Sequence, residues 1–286
     1  MNIHQLLLKG YETLKSNNIE SYIIDCQLLL GKVLNKDRLS IITNRDIEVK
    51  IEYCDEYFRL LELRKHNMPV KYILGETEFM GINLSVRPGV LIPRPDTEIL
   101  VEEVLSYIKA NSYKTVCDVC CGSGAIGLSI AYLNKDTEVQ CYDISQVACE
   151  VTYENIEKLM LHPRAGVYKS DLLKKAIDEK VQFDVIVSNP PYIKEEVISS
   201  LMEDVKNYEP FIALCGGKDG LDFYRKITEQ CMLTLNNGGL LAFEIGHDQK
   251  EEVRAILEEK GFQQICCKRD LAGNNRVITG IKNILK

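Results

Sequence analysis

From Lys114 onward the chain alternates short apolar runs with amphipathic helical stretches, and that alternation constrains the fold more than anything else in its 286 residues. Thr115–Val119, Val139–Tyr142, Gly166–Lys169, Phe183–Ser188 and Leu240–Ile245 read as strands. Between them Ala125–Leu133, Ser145–Leu161 (opened by a capping serine), Leu221–Leu235 and Gln249–Lys260 read as helices. Gln264–Cys267 and Arg276–Ile281 read as closing strands. The run FDVIVS at 183–188 is apolar on both faces, a pattern that suits a strand covered by helices on both sides. Such a series implies an α/β fold of Rossmann type, a parallel sheet sandwiched between helices.

Residues 1–68 carry a different pattern. Leu6, Leu7, Tyr11 and Leu14 fall at helical spacing, as do Tyr22, Ile23, Cys26, Leu29, Leu30 and Val33. A third helix is expected from Ile47 to His66, with Ile51, Cys54, Tyr57, Leu60, Leu61 and Leu63 on its apolar face. Three such faces can bury one another in a small helical bundle. Residues 69–95 switch to short alternating runs broken by Gly75, Gly81, Pro88, Gly89, Pro93 and Pro95, which reads as a β-hairpin linker. The large domain is then expected over 96–286, its first helix starting near Asp96 with Glu98 at the positive end of the helix dipole.

Charge and cysteine usage narrow the function classes. The net charge is −7, a poor endowment for holding duplex nucleic acid by its phosphates. Over residues 1–85 there are 11 Lys and Arg against 12 Asp and Glu, so the bundle offers no basic surface either. No apolar stretch approaches the roughly 20 residues a membrane span needs. The first residues, MNIHQLLLKGYETLK, lack the basic and apolar regions of a signal peptide. Eleven cysteines without an export signal read as reduced thiols of a cytoplasmic enzyme. Cys117, Cys120 and Cys121 have no partnering Cys or His pair at metal-ligand spacing, so no metal is expected.

Two motifs carry chemistry. The first, Asp118-Val119-Cys120-Cys121-Gly122-Ser123-Gly124, leaves a strand and enters a helix through a turn of small residues. A ligand can approach the backbone there, and the helix N-terminus offers free N–H groups. The next strand ends at Asp143, 25 residues after Asp118, where a carboxylate suits a ribose diol or, more plainly, a helix cap. A dinucleotide fingerprint wants three glycines so that a pyrophosphate can rest on the helix end, and here Cys120 stands at the first of them. S-adenosylmethionine has no phosphate and asks less of that turn.

The second motif follows FDVIVS: Asn189-Pro190-Pro191-Tyr192. Two prolines make a rigid extended turn and remove two backbone donors. What remains is a pair of acceptors, the Asn189 side-chain oxygen and the Pro190 carbonyl, able to converge on one NH₂ group, with Tyr192 offering a flat face to a planar substrate. A planar amide nitrogen is a poor nucleophile while its lone pair is delocalised. Holding both N–H bonds aims that lone pair at a methyl–sulfonium carbon, which is catalysis by orientation and polarisation.

N-P-P-Y placed 65 residues after a G-x-G loop resembles the signature of S-adenosylmethionine-dependent amino-methyltransferases. More closely, the chain resembles the HemK/PrmC family, which methylates the glutamine side-chain nitrogen (N5) in the GGQ motif of class I peptide chain release factors. The resemblance runs through Pro69-x-x-Tyr72-Ile73-x-Gly75, Phe79-Met80-Gly81 and Leu91-Ile92-Pro93-Arg94-Pro95-Asp96-Thr97-Glu98. It continues through Glu209-Pro210, Ala213-Leu214, Gly217-x-Asp219-Gly220-Leu221, Glu244-Ile245-Gly246 and Asp270-Leu271-Ala272-Gly273-x-x-Arg276. It implies that the backbone of Cys120, Cys121, Gly122, Ser123 and Gly124 holds the methionine moiety of S-adenosylmethionine. By the same resemblance Asp143 holds the ribose, Asp171 and Leu172 flank the adenine, and Asn189 to Tyr192 cradle the glutamine. Cys120 departs from the family's usual glycine, Cys121 from a frequent threonine, and Leu172 from an aromatic that some members carry. Arg94 is open between pairing with a carboxylate and capping the linker.

Three rival readings differ in class. A nucleic-acid amino-methyltransferase acting on adenine N6, cytosine N4 or guanine N2 shares the N-P-P-Y chemistry but needs a basic recognition surface. An NAD-dependent oxidoreductase fits the loop poorly. A silent binding module would have no use for both motifs. The expectation is therefore a release factor glutamine methyltransferase whose bundle docks the protein substrate, with no stable nucleic-acid binding and no membrane association.

Overall fold

A computed structural model describes residues 1–283. The chain forms two compact units: Met1–Glu76 with Met202–Tyr208, and Thr77–Leu201 with the chain from Glu209 on.

In the first unit α1 (Ile3–Ser16), α2 (Tyr22–Leu34), α3 (Arg38–Thr43), α4 (Ile51–Lys65) and α5 (Val70–Leu74) surround one core. Leu6, Leu14, Leu29, Leu30, Tyr57, Leu60 and Leu61 fill it. Asn2 and Gln5 open α1 with a reciprocal capping box. Inside this unit Arg64 Nε meets Asp25 Oδ2 at 2.7 Å, with both side chains under a tenth exposed. The helix expected from Ile47 begins only at Ile51, because the residues before it pair with the N-terminus: Ile3 N–H donates to the Ile47 carbonyl and Val49 N–H to that of Met1. Ile23 and Ile51, expected on buried faces, are 44% and 67% exposed.

The stretch expected as a linker divides between the units. Its first part is α5, whose Ile73 lies in the bundle core. Its hairpin, β1 (Glu76–Phe79) and β2 (Ile82–Ser85), sets Phe79, Ile82 and Leu84 into the core of the second unit. Pro95–Thr97 then makes one turn of 3-10 helix before α6 (Glu98–Asn111). Glu98 accepts the Met80 N–H at 2.7 Å, so its carboxylate ties down the hairpin turn.

The second unit continues as β3 (Thr115–Val119), α7 (Ala125–Leu133), β4 (Glu138–Asp143), α8 (Gln146–Lys158), β5 (Ala165–Lys169), α9 (Lys174–Asp178) and β6 (Phe183–Ser188). Three short helices follow, α10 (Glu195–Ile198), α11 (Glu203–Tyr208, grouped with the first unit) and α12 (Phe211–Leu214). The chain ends with α13 (Asp222–Thr234), β7 (Leu235–Glu244), α14 (Lys250–Glu259), β8 (Phe262–Arg269) and β9 (Asn275–Lys282). The seven strands lie in the order β5-β4-β3-β6-β7-β9-β8. The first five are mutually parallel, and β9 is antiparallel to both β7 and β8. Val116, Val139, Val185 and Leu240 face one apolar layer, and Cys117, Ile186, Leu241 and Phe243 the other. The sheet is thus buried on both faces, as a parallel sheet requires. Within the described residues no helix is long and apolar enough to cross a membrane.

Candidate active site

After β3 the chain goes out through β4 and β5 and returns to β6 on the other side of β3, so the strand order reverses there. Open α/β sheets bind ligands at the carboxyl ends of their strands at such a point. The register is specific: Tyr142, Val119, Ser188 and Phe243 pair at one level across β4, β3, β6 and β7. The residues that follow them, Asp143, Cys120, Asn189 and Glu244, therefore form a row where four adjacent strands end. Two motifs 65 residues apart in sequence leave neighbouring strands, which lie about 4.8 Å apart.

The turn after β3 is made of left-handed residues: φ is +62° at Cys120, +58° at Gly122 and +78° at Gly124. Cys120 thus adopts the conformation in which a glycine carries no penalty, at a cost of roughly 1–2 kcal/mol for its Cβ. Gly124 is also needed for space, since a Cβ there would sit 2.8 Å from Thr152 Cγ2. Behind the turn Asp118 is fully buried and accepts the Gly127 N–H at 2.8 Å, tying β3 to α7. Burial, opposed by that N–H, pushes its pKa up to about 7.

Asp143 caps the turn rather than a helix. Its Oδ2 accepts the Gly122 N–H at 2.9 Å and its Oδ1 the Ser145 N–H at 2.8 Å. The N-cap of α8 is Ser145, whose hydroxyl accepts the Ala148 N–H. Burial raises the Asp143 pKa while the backbone N–H groups of Ser145, Gly122 and Ile144 oppose the shift.

A cavity of about 200 Å³ opens in front of this row. Cys120, Gly122, Asp143, Asp171, Leu172, Asn189 and Pro191 line it, so both motifs and the expected adenine neighbours meet in one place. Cys121, Ser123, Gly124, Pro190 and Tyr192 do not line it. Cys121 packs into the core and reaches Thr152, and Ser123 is buried with its carbonyl accepting from Asn155. The Tyr192 ring is partly buried against the core and its hydroxyl donates to Glu244 Oε1 at 3.3 Å. Sequence reasoning missed Val90, Ile144, Phe223 and Lys226 on the wall. Nothing in their spacing marks Phe223 or Lys226.

Arg94 pairs with a carboxylate: its guanidinium meets Glu209 Oε1 at 2.5 Å, and the Glu209 side chain is 1% exposed. Glu244, 2% exposed, accepts the Thr97 hydroxyl through Oε2 at 2.5 Å. Thr97 in turn accepts the Asn189 Nδ2–H at 3.4 Å.

The site fits S-adenosylmethionine on its own chemistry. Asp143 gives a carboxylate acceptor for a diol, and Leu172, Ile144 and Ala148 give an apolar slot for a purine.

A family profile described as Methyltransferase small domain matches residues 95–206, and one described as PrmC N-terminal domain matches residues 5–75. The release factor glutamine methyltransferase of Clostridium botulinum is 58% identical over 99% of this chain and 100% of its own. That of Clostridium acetobutylicum is 52% identical over 99% of both chains. Among solved structures, a T. thermophilus 16S rRNA methyltransferase in complex with AdoMet and guanosine shares the fold. It is 19% identical, with a TM-score of 0.53, over 73% of this chain and 50% of that one.

Proposed function

The chain belongs to the release factor glutamine methyltransferases, and on that premise we propose that it methylates N5 of the glutamine in the GGQ motif of class I release factors through Asn189 and Pro190. It is an S-adenosylmethionine-dependent methyltransferase. The observation that carries the mechanistic reading is the pairing of Val119 with Ser188, which sets the Cys120 turn and the Asn189 turn side by side at one level.

When bound, S-adenosylmethionine supplies an electrophilic methyl carbon on a sulfonium. Asp143 binds the ribose hydroxyls with the lone pairs left over from Gly122 and Ser145. Asn189 Oδ1 and the Pro190 carbonyl each accept one N–H of the glutamine amide, which exposes the nitrogen lone pair on the side facing the cofactor. The cofactor would supply its methyl group to that nitrogen, with Asn189 Oδ1 and the Pro190 carbonyl holding the two N–H bonds until one proton passes to water. No side chain has to act as a strong base; positioning and preorganised acceptors lower the barrier.

The bundle, residues 1–76 in its main part, is the proposed docking surface for the release factor, and the cytoplasm, where release factors work, the proposed location. The near balance of charge over residues 1–85 argues against a nucleic-acid substrate. Incubation with methyl-labelled S-adenosylmethionine and, separately, release factor, DNA and RNA tests the reading. Label is expected on the glutamine of the GGQ peptide; label on a nucleic acid overturns the assignment.

A further inference from the structure

We infer that Thr97 and Glu244 are positioning residues for methyl transfer: they fix which way round the Asn189 side-chain amide sits, so that its oxygen faces the glutamine. The inference rests on the role given to Asn189 above. A carboxamide is nearly symmetric in shape, and only hydrogen bonding distinguishes its two ends. Turned over, Asn189 would point N–H at the N–H of the substrate, and the lone pair would not be freed.

Thr97 is 3% exposed and Glu244 2%, so water does not compete for their bonds. A hydroxyl has a single proton. Thr97 gives its proton to Glu244 Oε2 at 2.5 Å. The hydroxyl oxygen can then only accept from Asn189, and it faces Nδ2 at 3.4 Å. With Nδ2 committed to Thr97, Oδ1 is the free end. The direction of the whole chain thus starts at the Glu244 carboxyl.

That carboxyl is itself held in place. Tyr192 donates to Oε1 at 3.3 Å. Burial raises the Glu244 pKa, while the Thr97 and Tyr192 hydroxyls and Arg276, paired with Asp270 at 3.0 Å and Asp96 at 3.2 Å, oppose the shift. The backbone carbonyl of Glu244 accepts the Tyr224 hydroxyl, and Gln249 Nε2 donates to the Tyr192 carbonyl at 3.0 Å. Thr97 stands next to Pro95 and Asp96, and Glu244 directly before Ile245-Gly246. Two sequence segments without an assigned role therefore converge on one hydrogen-bond chain that ends at Asn189.

The test is single-turnover methyl transfer to a release factor domain carrying the GGQ motif, with five proteins: parent, Thr97→Val, Thr97→Ser, Asn189→Ala and the Thr97→Val, Asn189→Ala double variant. Thr97→Val keeps the shape and removes the hydroxyl. It is expected to slow transfer about 10- to 100-fold, to leave S-adenosylmethionine affinity within a few-fold, and to add nothing in the Asn189→Ala background. Thr97→Ser is expected to restore most of the rate. If Thr97→Val slows both backgrounds equally, or slows neither, the inference is overturned. If Asn189→Ala itself transfers at the parental rate, the role of Asn189 fails, which is a separate outcome. Should Thr97→Val not fold, Glu244→Gln enters the same cycle. Its carboxamide can turn an N–H toward Thr97 and reverse the chain, so it too is expected to slow transfer only where Asn189 is present.

Discussion

Asp143 Oδ2 accepts the backbone N–H of Gly122 at 2.9 Å, so the carboxylate that ends one strand holds the turn that ends its neighbour. The same group faces the cavity. Asp143→Ala is therefore expected to loosen the turn and remove the ribose acceptor together, weakening S-adenosylmethionine binding by about 1–3 kcal/mol. Calorimetric titration measures this. Unchanged affinity would mean that Asp143 serves only the turn.

Asp118 gives a pH signature to the same region. Its carboxyl is raised from an ordinary value of 3.8 to about 7 by burial. A raised folded-state pKa contributes stability that is fully present below the unfolded value and lost as pH rises through 7. The loss amounts to as much as about 4 kcal/mol at 1.36 kcal/mol per unit. Asp118→Asn removes this slope. Urea denaturation at pH 5 and pH 8 should show the parent losing stability between the two relative to the variant. Parallel behaviour of both proteins would contradict a neutral Asp118 at low pH.

Cys120 carries a left-handed backbone at φ +62°. Cys120→Gly relieves that strain, while the freer unfolded chain opposes the gain. The expected net change is a stabilisation of no more than about 1 kcal/mol, with cofactor binding intact. Cys120→Val, β-branched at the same φ, should lower the melting temperature. Thermal melts of the two variants order them, and a Val variant as stable as the Gly variant would contradict the strained turn.

The bundle is expected to serve the protein substrate alone. A truncation should start at Thr77, because Phe79, Ile82 and Leu84 of the hairpin fill the core of the large unit. Such a chain, if folded, should bind S-adenosylmethionine as the parent does and lose most activity on intact release factor. Full activity would make the bundle a bystander.

Much of this was legible in the sequence because it is periodic or local. Strand–helix alternation gave the sheet, and the two turns that end β3 and β6 stand out by glycine and proline. The short helices Val70–Leu74, Glu195–Ile198 and Phe211–Leu214 are too brief to show a 3.6-residue period, so the first was absorbed into an expected linker. Leu235–Glu244 begins five residues before its expected start at Leu240 because Asn236, Asn237, Gly238 and Gly239 read as a turn. The place of Tyr192 in N-P-P-Y says nothing of its hydroxyl, which bonds Glu244, 52 residues away. The Thr97–Glu244 bond spans 147 residues, and spacing carries no signal of a contact that only tertiary packing creates.

The most direct test of the central claim is the effect of Asn189→Ala on rate and on cofactor affinity, measured in the same preparation. If Asn189 Oδ1 is a preorganised acceptor for the glutamine amide, single-turnover transfer to a GGQ-bearing release factor domain falls by about 10²–10³, some 2.7–4 kcal/mol. S-adenosylmethionine affinity then stays within a few-fold of the parent. Transfer at the parental rate would contradict the account.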